Sequence, residues 1–200
     1  MRYDFLTETY ATERIKVISA WSMFTDQDLP VRPHPTDTRG RSFLEHMVHQ
    51  CVSEDIWFRT MLDIDVGASP LPTDEIRLAF MRQYAEYSGK RLAVLREKDE
   101  TWWEEETGFF DVRRSRAWVM TRRVAHTAHH RGQQLALLRM LGRDVYSNYG
   151  PTADTGGLMQ NHAPTVYPYP TVEALLQDGQ KITLPAPGPK AVTERPHLKT

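Results

Sequence analysis

The stretch HTAHHRGQQLALLRMLG, residues 126–142, puts His126, His129 and His130 into five consecutive positions of a chain that holds eight histidines in all. Helix propensity does not favour such a cluster, because imidazole is a middling helix former. The apolar residues that follow still repeat with helical spacing. Each residue of an α-helix turns by about 100°, so side chains four apart share a face, with Cβ atoms about 5–6 Å apart. His126 and His130 therefore share a face and can chelate one ion, while His129 lies to one side. The stripe continues through Gln133 or Gln134 into Leu137 and Leu141. That continuation aims the pair at a helix-bundle interior and not at water.

Helical periodicity extends outward from this segment over the first 142 residues. The helix carrying the histidines is expected over 114–141, with Gly142 as its C-terminal cap after a basic last turn. Three more are expected over 3–24, 41–63 and 74–98. LPVRPHPTD (29–37) and DVGASPLPT (65–73) separate them. Thr73, followed by Asp74 and Glu75, reads as the start of the third. TWWEEETGFFDV (101–112) reads as irregular or briefly extended. The pattern predicts an all-α protein, an antiparallel four-helix bundle over residues 1–142. Residues 143–200 carry most of the thirteen prolines. They are expected to form an extended tail packed on the bundle or on a partner subunit, with a short helix near 171–177 and a mobile end beyond about residue 186.

Composition narrows the function. With 25 Lys+Arg against 26 Asp+Glu, the chain lacks the positive excess that a phosphate backbone calls for, so no nucleic-acid partner is expected. One cysteine, Cys51, rules out an intramolecular disulfide framework and fits a reducing compartment. The N-terminus lacks the apolar core of a secretion signal, and no run approaches the roughly 18 apolar residues of a membrane span. A cytoplasmic protein with no membrane partner is expected.

Two imidazoles leave a metal under-coordinated, so a second helix must contribute. EHMVHQCVSEDIWF (45–58) supplies His46 and His49, three apart, and Glu54. Inward side chains on facing helices build such sites in bundles. Three neutral imidazoles with an open water position form the donor set of catalytic zinc sites. Cys51, with no basic neighbour in sequence, reads as a small buried hydrophobe. His34, His162 and His197 sit in proline-rich loops and carry no comparable signal.

Residues 126–142 resemble the last bundle helix of the DinB-like superfamily, which includes YfiT-like proteins and thiol-dependent transferases such as mycothiol-dependent maleylpyruvate isomerase. The family pattern is a histidine, three residues, a second histidine, Arg-Gly-Gln, and an apolar run ending in Leu-Gly. His126, His130, Arg131-Gly132-Gln133 and Leu141-Gly142 match it. The resemblance covers about residues 3–142. It implies a four-helix bundle, often dimeric, and a divalent metal, zinc or nickel, held by three histidines. The family's third ligand lies on the second helix, often with Glu at +5 and an aromatic at +8. From His49 these are Glu54 and Trp57, which selects His49, with His46 as the fallback.

The resulting expectation is a metal-dependent enzyme acting on a small molecule, a thiol-dependent S-transferase using a low-molecular-weight thiol, or a hydrolase. No catalytic residue is assigned; the candidates are Glu54 as acid, base or support for the ligands, His129 beside the site, and Arg131 for a substrate carboxylate. The rival expectations are a non-catalytic metal-binding stress-response protein and a dimeric interaction module.

Overall fold

Local rules set most helix ends in the computed structural model, which describes residues 2–67 and 69–186. Helix α1 spans Asp4–Ser22 and α2 spans Phe43–Met61. A capping box opens α2: Ser42 Oγ accepts from the Glu45 amide at 3.2 Å, and Glu45 accepts from the Ser42 amide at 2.8 Å. Arg32 also grips Glu45 through both guanidinium nitrogens. Ser42→Ala is expected to cost about 1 kcal/mol, a fall of roughly 2–4 °C in Tm for a chain of this size. Thermal unfolding followed by circular dichroism measures it, and an unchanged Tm would mean that the Arg32–Glu45 pair holds the turn alone.

Helix α3 spans Arg77–Arg96, so the start expected at Thr73 is wrong by about a turn. Ile76 precedes it in extended conformation and provides no side-chain cap. Asp26 does the capping from a distance: its Oδ1 accepts from the Arg77 amide at 2.7 Å. A cap 51 residues away leaves no local signature. Gly89, inside α3, faces Arg14, whose Nη2 would lie 3.1 Å from an added Cβ.

Residues 101–112, expected to be irregular or briefly extended, start with a short helix that the pattern does not foretell and continue into a brief extended stretch, one strand of a hairpin. Helix α4, Glu100–Glu104, is capped by Asp99. Strands β1, Glu106–Phe109, and β2, Val112–Ser115, pair antiparallel, with Glu106 opposite Ser115 and Phe109 opposite Val112. Helix α5, Arg116–Met140, follows at once with Ser115 as its cap. It ends as the glycine foretold: Gly142 has φ +66°, the Arg143 amide donates to the Leu138 carbonyl and the Gly142 amide to that of Arg139. Helix α6, Val172–Leu176, is the short tail helix, capped by Thr171.

The long helices α1, α2, α3 and α5 form the bundle, and side-chain partners give their directions. Trp21 meets Tyr84 and Arg14 meets Ser88, so α1 and α3 are antiparallel. Gln50 meets Gln134 and Ser53 meets Arg123, so α2 and α5 are antiparallel. Glu13 pairs with Arg131 and Asp28 with Arg143, so α1 and α5 run the same way. Glu54 meets Tyr84 and Phe58 meets Arg91, so α2 and α3 also run the same way. The order is up, down, down, up. A helix of about 20 residues is roughly 30 Å long, and the connection over residues 62–76 is long enough to return along it.

Apolar burial is split into two parts. Val17, Trp21, Phe43, Met47, Phe80 and Leu138 belong to one cluster, and Leu6, Tyr10, Phe58, Leu95, Trp103 and Met120 to the other. Between them on each helix lie buried polar residues: Glu13 on α1, Gln50 and Glu54 on α2, Arg91 on α3, and Arg123, Arg131 and Gln134 on α5. A buried charge is costly unless paired, and every charge in this belt is paired.

Residues 143–186 pack on the bundle. Val145, Tyr146, Tyr169 and Leu175 complete the cluster around Trp21 and Phe24. Arg143 pairs with Asp28, Asp178 with Arg77, and Tyr146 donates to the Ile182 carbonyl at 2.7 Å. The expected mobile end beyond residue 186, with His197, lies outside the described residues. No helix among the described residues is long and apolar enough to cross a membrane.

Candidate metal centre

The histidines meet where α2 and α5 run antiparallel beside the polar belt. His49, His126 and His130 each offer a ring nitrogen, and these three atoms lie within 4.8 Å of one another. The Nε2 atoms of His126 and His130 are 3.1 Å apart. The His49 ring is 4.5 Å from the His130 ring and 5.4 Å from that of His126. His46 is buried and edge-on to His130 at 5.6 Å, outside the group of three.

These residues fit a divalent ion. Metal–imidazole bonds of about 2.0–2.1 Å put neighbouring ligand nitrogens roughly 3.0–3.4 Å apart, and the observed pair falls in that interval. The Nδ1 atoms of His126 and His130 are buried and have no partner in the protein. No protein acceptor therefore orients either ring from behind, and packing holds them. Among the described residues, no cysteine, aspartate or glutamate joins the group.

Electrostatics keep the rings neutral, the form that ligates. Burial, then Arg123 and His49, holds His126 down at about 4; burial, then His126 and His49, holds His130 at about 3. Burial, then Arg41 and Arg123, lowers His49 as well. Trp57 lies flat against the His126 ring, centroids 5.6 Å apart and planes 17° apart, and Phe109 of the hairpin meets Trp57 edge-on.

The other candidates stand elsewhere. Glu54 is 0 % exposed and accepts from Tyr10 Oη at 2.6 Å and Tyr84 Oη at 2.7 Å, with Arg91 at 3.3 Å and Arg123 at 3.9 Å. An acid/base role does not fit that burial. Glu54 neighbours Arg123, whose charge in turn acts on His126 and His49. Arg131 is neither a substrate group nor a surface charge: it is buried, 2.6 Å from Glu13, with its guanidinium over the Tyr149 ring. The reason is angular, since Arg131 follows His130 by one residue and so points about 100° away from it. His129 is exposed at the rim, with its Nε2 2.7 Å from Gln133 Nε2. Cys51 is buried as expected, and burial pushes its thiol up.

Arg123 escaped the sequence reading. It is buried, donates to Ser53 Oγ and Thr127 Oγ1, and lies over the Trp57 ring. A signal existed: Arg123, Thr127, His130 and Gln134 follow a helical stripe that continues the buried Val119 and Met120, so its polar members had to be buried too.

The sequence pattern of the DinB family matches residues 7–157, which extends the match into the tail. No curated protein matches the chain. Among solved structures, a DinB-like protein from Bacillus cereus is similar at 16% identity and TM-score 0.61, covering 70% of this chain and 93% of that one. YjoA, a DinB-like protein from Bacillus subtilis, is similar at 13% identity and TM-score 0.54, over 70% and 94%. YfiT from Bacillus subtilis, described as a probable metal-dependent hydrolase with an unusual four-helix bundle topology, is similar at 19% identity and TM-score 0.55, over 71% and 89%. At these identities the likeness is one of fold.

Proposed function

The chain belongs to the DinB family, and on that premise we propose a divalent-metal-dependent enzyme, a hydrolase or a thiol-dependent S-transferase acting on a small molecule. His49, His126 and His130 would hold the ion. The observation that carries this reading is the convergence of three neutral imidazoles with no fourth protein ligand among the described residues. Structural zinc sites close with four protein ligands, whereas catalytic ones keep a position open. The description of YfiT as a probable metal-dependent hydrolase supports the same direction.

A divalent ion there, when bound, lowers the pKa of water or a thiol and polarises an electrophile. Imidazole donors suit zinc and nickel alike. The protein's own part is to fix the rings. Trp57 lies nearly parallel beside His126, and Arg123, anchored by Ser53 and Thr127, keeps a cation beside the triad that disfavours protonation of His126 and His49.

The test is metal content of protein purified without a histidine tag, beside His126→Ala and His49→Ala. About one divalent ion per chain is expected in the parent after incubation with zinc or nickel. Each variant is expected to bind at least about 100-fold more weakly, since removing even an outer partner of a ligand costs 10–100-fold. A parent chain that stays metal-free after incubation with zinc, nickel and manganese would overturn the proposal.

A further inference from the structure

Phe110 breaks two local rules at once. It is the first turn residue between β1 and β2, with φ +53°, in the left-handed region where hairpins take glycine or asparagine. The residue is 76 % exposed, so it gains little from burial. The turn's backbone geometry gives no reason for a large apolar side chain here. Backbone outliers of this kind gather at ligand-binding sites.

The reason lies in what stands beside it. Phe110 meets Phe109 at 4.9 Å and Trp57 at 6.4 Å, both edge-on. Trp57 in turn lies flat on His126, and Trp118 continues the row from Phe109 at 4.9 Å. The spacings are those of interacting aromatic pairs. The row starts on a metal-ligand ring and ends in solvent.

We propose that Phe110 and Trp57 form the platform for an aromatic group of the small molecule handled at the triad. This inference rests on the metal-dependent reading and names the substrate class: a ligand with a metal-binding head and an aromatic arm. A molecule bound at the triad would have its arm beside the row, because Trp57 stands between His126 and Phe110.

Isothermal titration of zinc-loaded, untagged protein with benzohydroxamate and acetohydroxamate tests this. The two chelators share a head and differ in a phenyl group. The phenyl is expected to strengthen binding to the parent chain about 10-fold, the scale of one aromatic contact. In Phe110→Gly, which sets the baseline between the chelators, most of that gain is expected to vanish while acetohydroxamate binds as before. The same variant is expected to melt at an equal or higher temperature, because glycine relieves the turn. Failure to take up any of zinc, nickel and manganese overturns the metal-dependent reading and this inference with it; if nickel alone is taken up, the same titration is run on the nickel-loaded protein. Zinc uptake with a phenyl preference that is absent, or that survives in Phe110→Gly, overturns this inference alone. So does a concentration-dependent dimer in sedimentation that is lost in Phe110→Gly, which would assign the row to a second copy.

Discussion

Glu54→Ala is expected to lose about 3–5 kcal/mol of stability, the usual cost of removing one partner from a buried charge pair. For this chain length that is a fall of roughly 6–20 °C in Tm. The size follows from what remains. Arg91 and Arg123 are both buried, and Glu54 and Asp55 are the carboxylates that face them. Removing Glu54 leaves one excess positive charge inside the bundle and takes the acceptor from two buried tyrosine hydroxyls. Glu54→Gln keeps the shape and an acceptor but still leaves the charge unbalanced, so it is expected to fall between alanine and the parent. Urea unfolding at neutral pH measures both. A loss below about 1 kcal/mol, the scale of an exposed pair, would show that the guanidinium groups find compensation elsewhere.

Trp21→Ala carries the second large effect, about 3–5 kcal/mol, as expected for emptying a fully buried aromatic site. Trp21 is fully buried, packs against Tyr84, and donates from Nε1 to Gln50 Oε1 at 3.3 Å. The same oxygen accepts from Gln134 at 2.7 Å, so one amide ties α1, α2 and α5 together beside the triad. Trp21→Phe keeps most of the volume and loses only the indole donor, and about 1 kcal/mol is expected from that bond. Equal losses in the two variants, read from urea midpoints, would mean that the hydrogen bond and not the packing dominates.

The helices were legible because their stripes are long and their caps local, as with Ser42 and Gly142. The start of α3 was not, because Asp26 supplies its cap from a distant segment. The triad was legible because His126 and His130 sit four apart on an apolar stripe, and His49 matched the family spacing. The polar belt was illegible for the opposite reason. Each helix contributes only one to three of its members, and an isolated arginine such as Arg91 or Arg131 looks like a surface charge until its partner on another helix is known. The brief extension near 106–109 was legible, but its pairing with 112–115 was not, and with that pairing the position of Phe110 was missed.

The ties between residues 143–186 and the earlier part of the bundle have a consequence during synthesis. Asp178 joins Arg77 across 101 residues, and Arg143 joins Asp28 across 115. A nascent chain that has reached Gly142 holds all four long helices but lacks Tyr146, Tyr169 and Leu175, which cover the apolar surface around Trp21 and Phe24. At translation speeds of about 5–20 residues per second, that surface waits on the order of seconds for its cover. The newborn bundle is therefore most exposed to aggregation after its helices exist and before residues 143–186 have followed them.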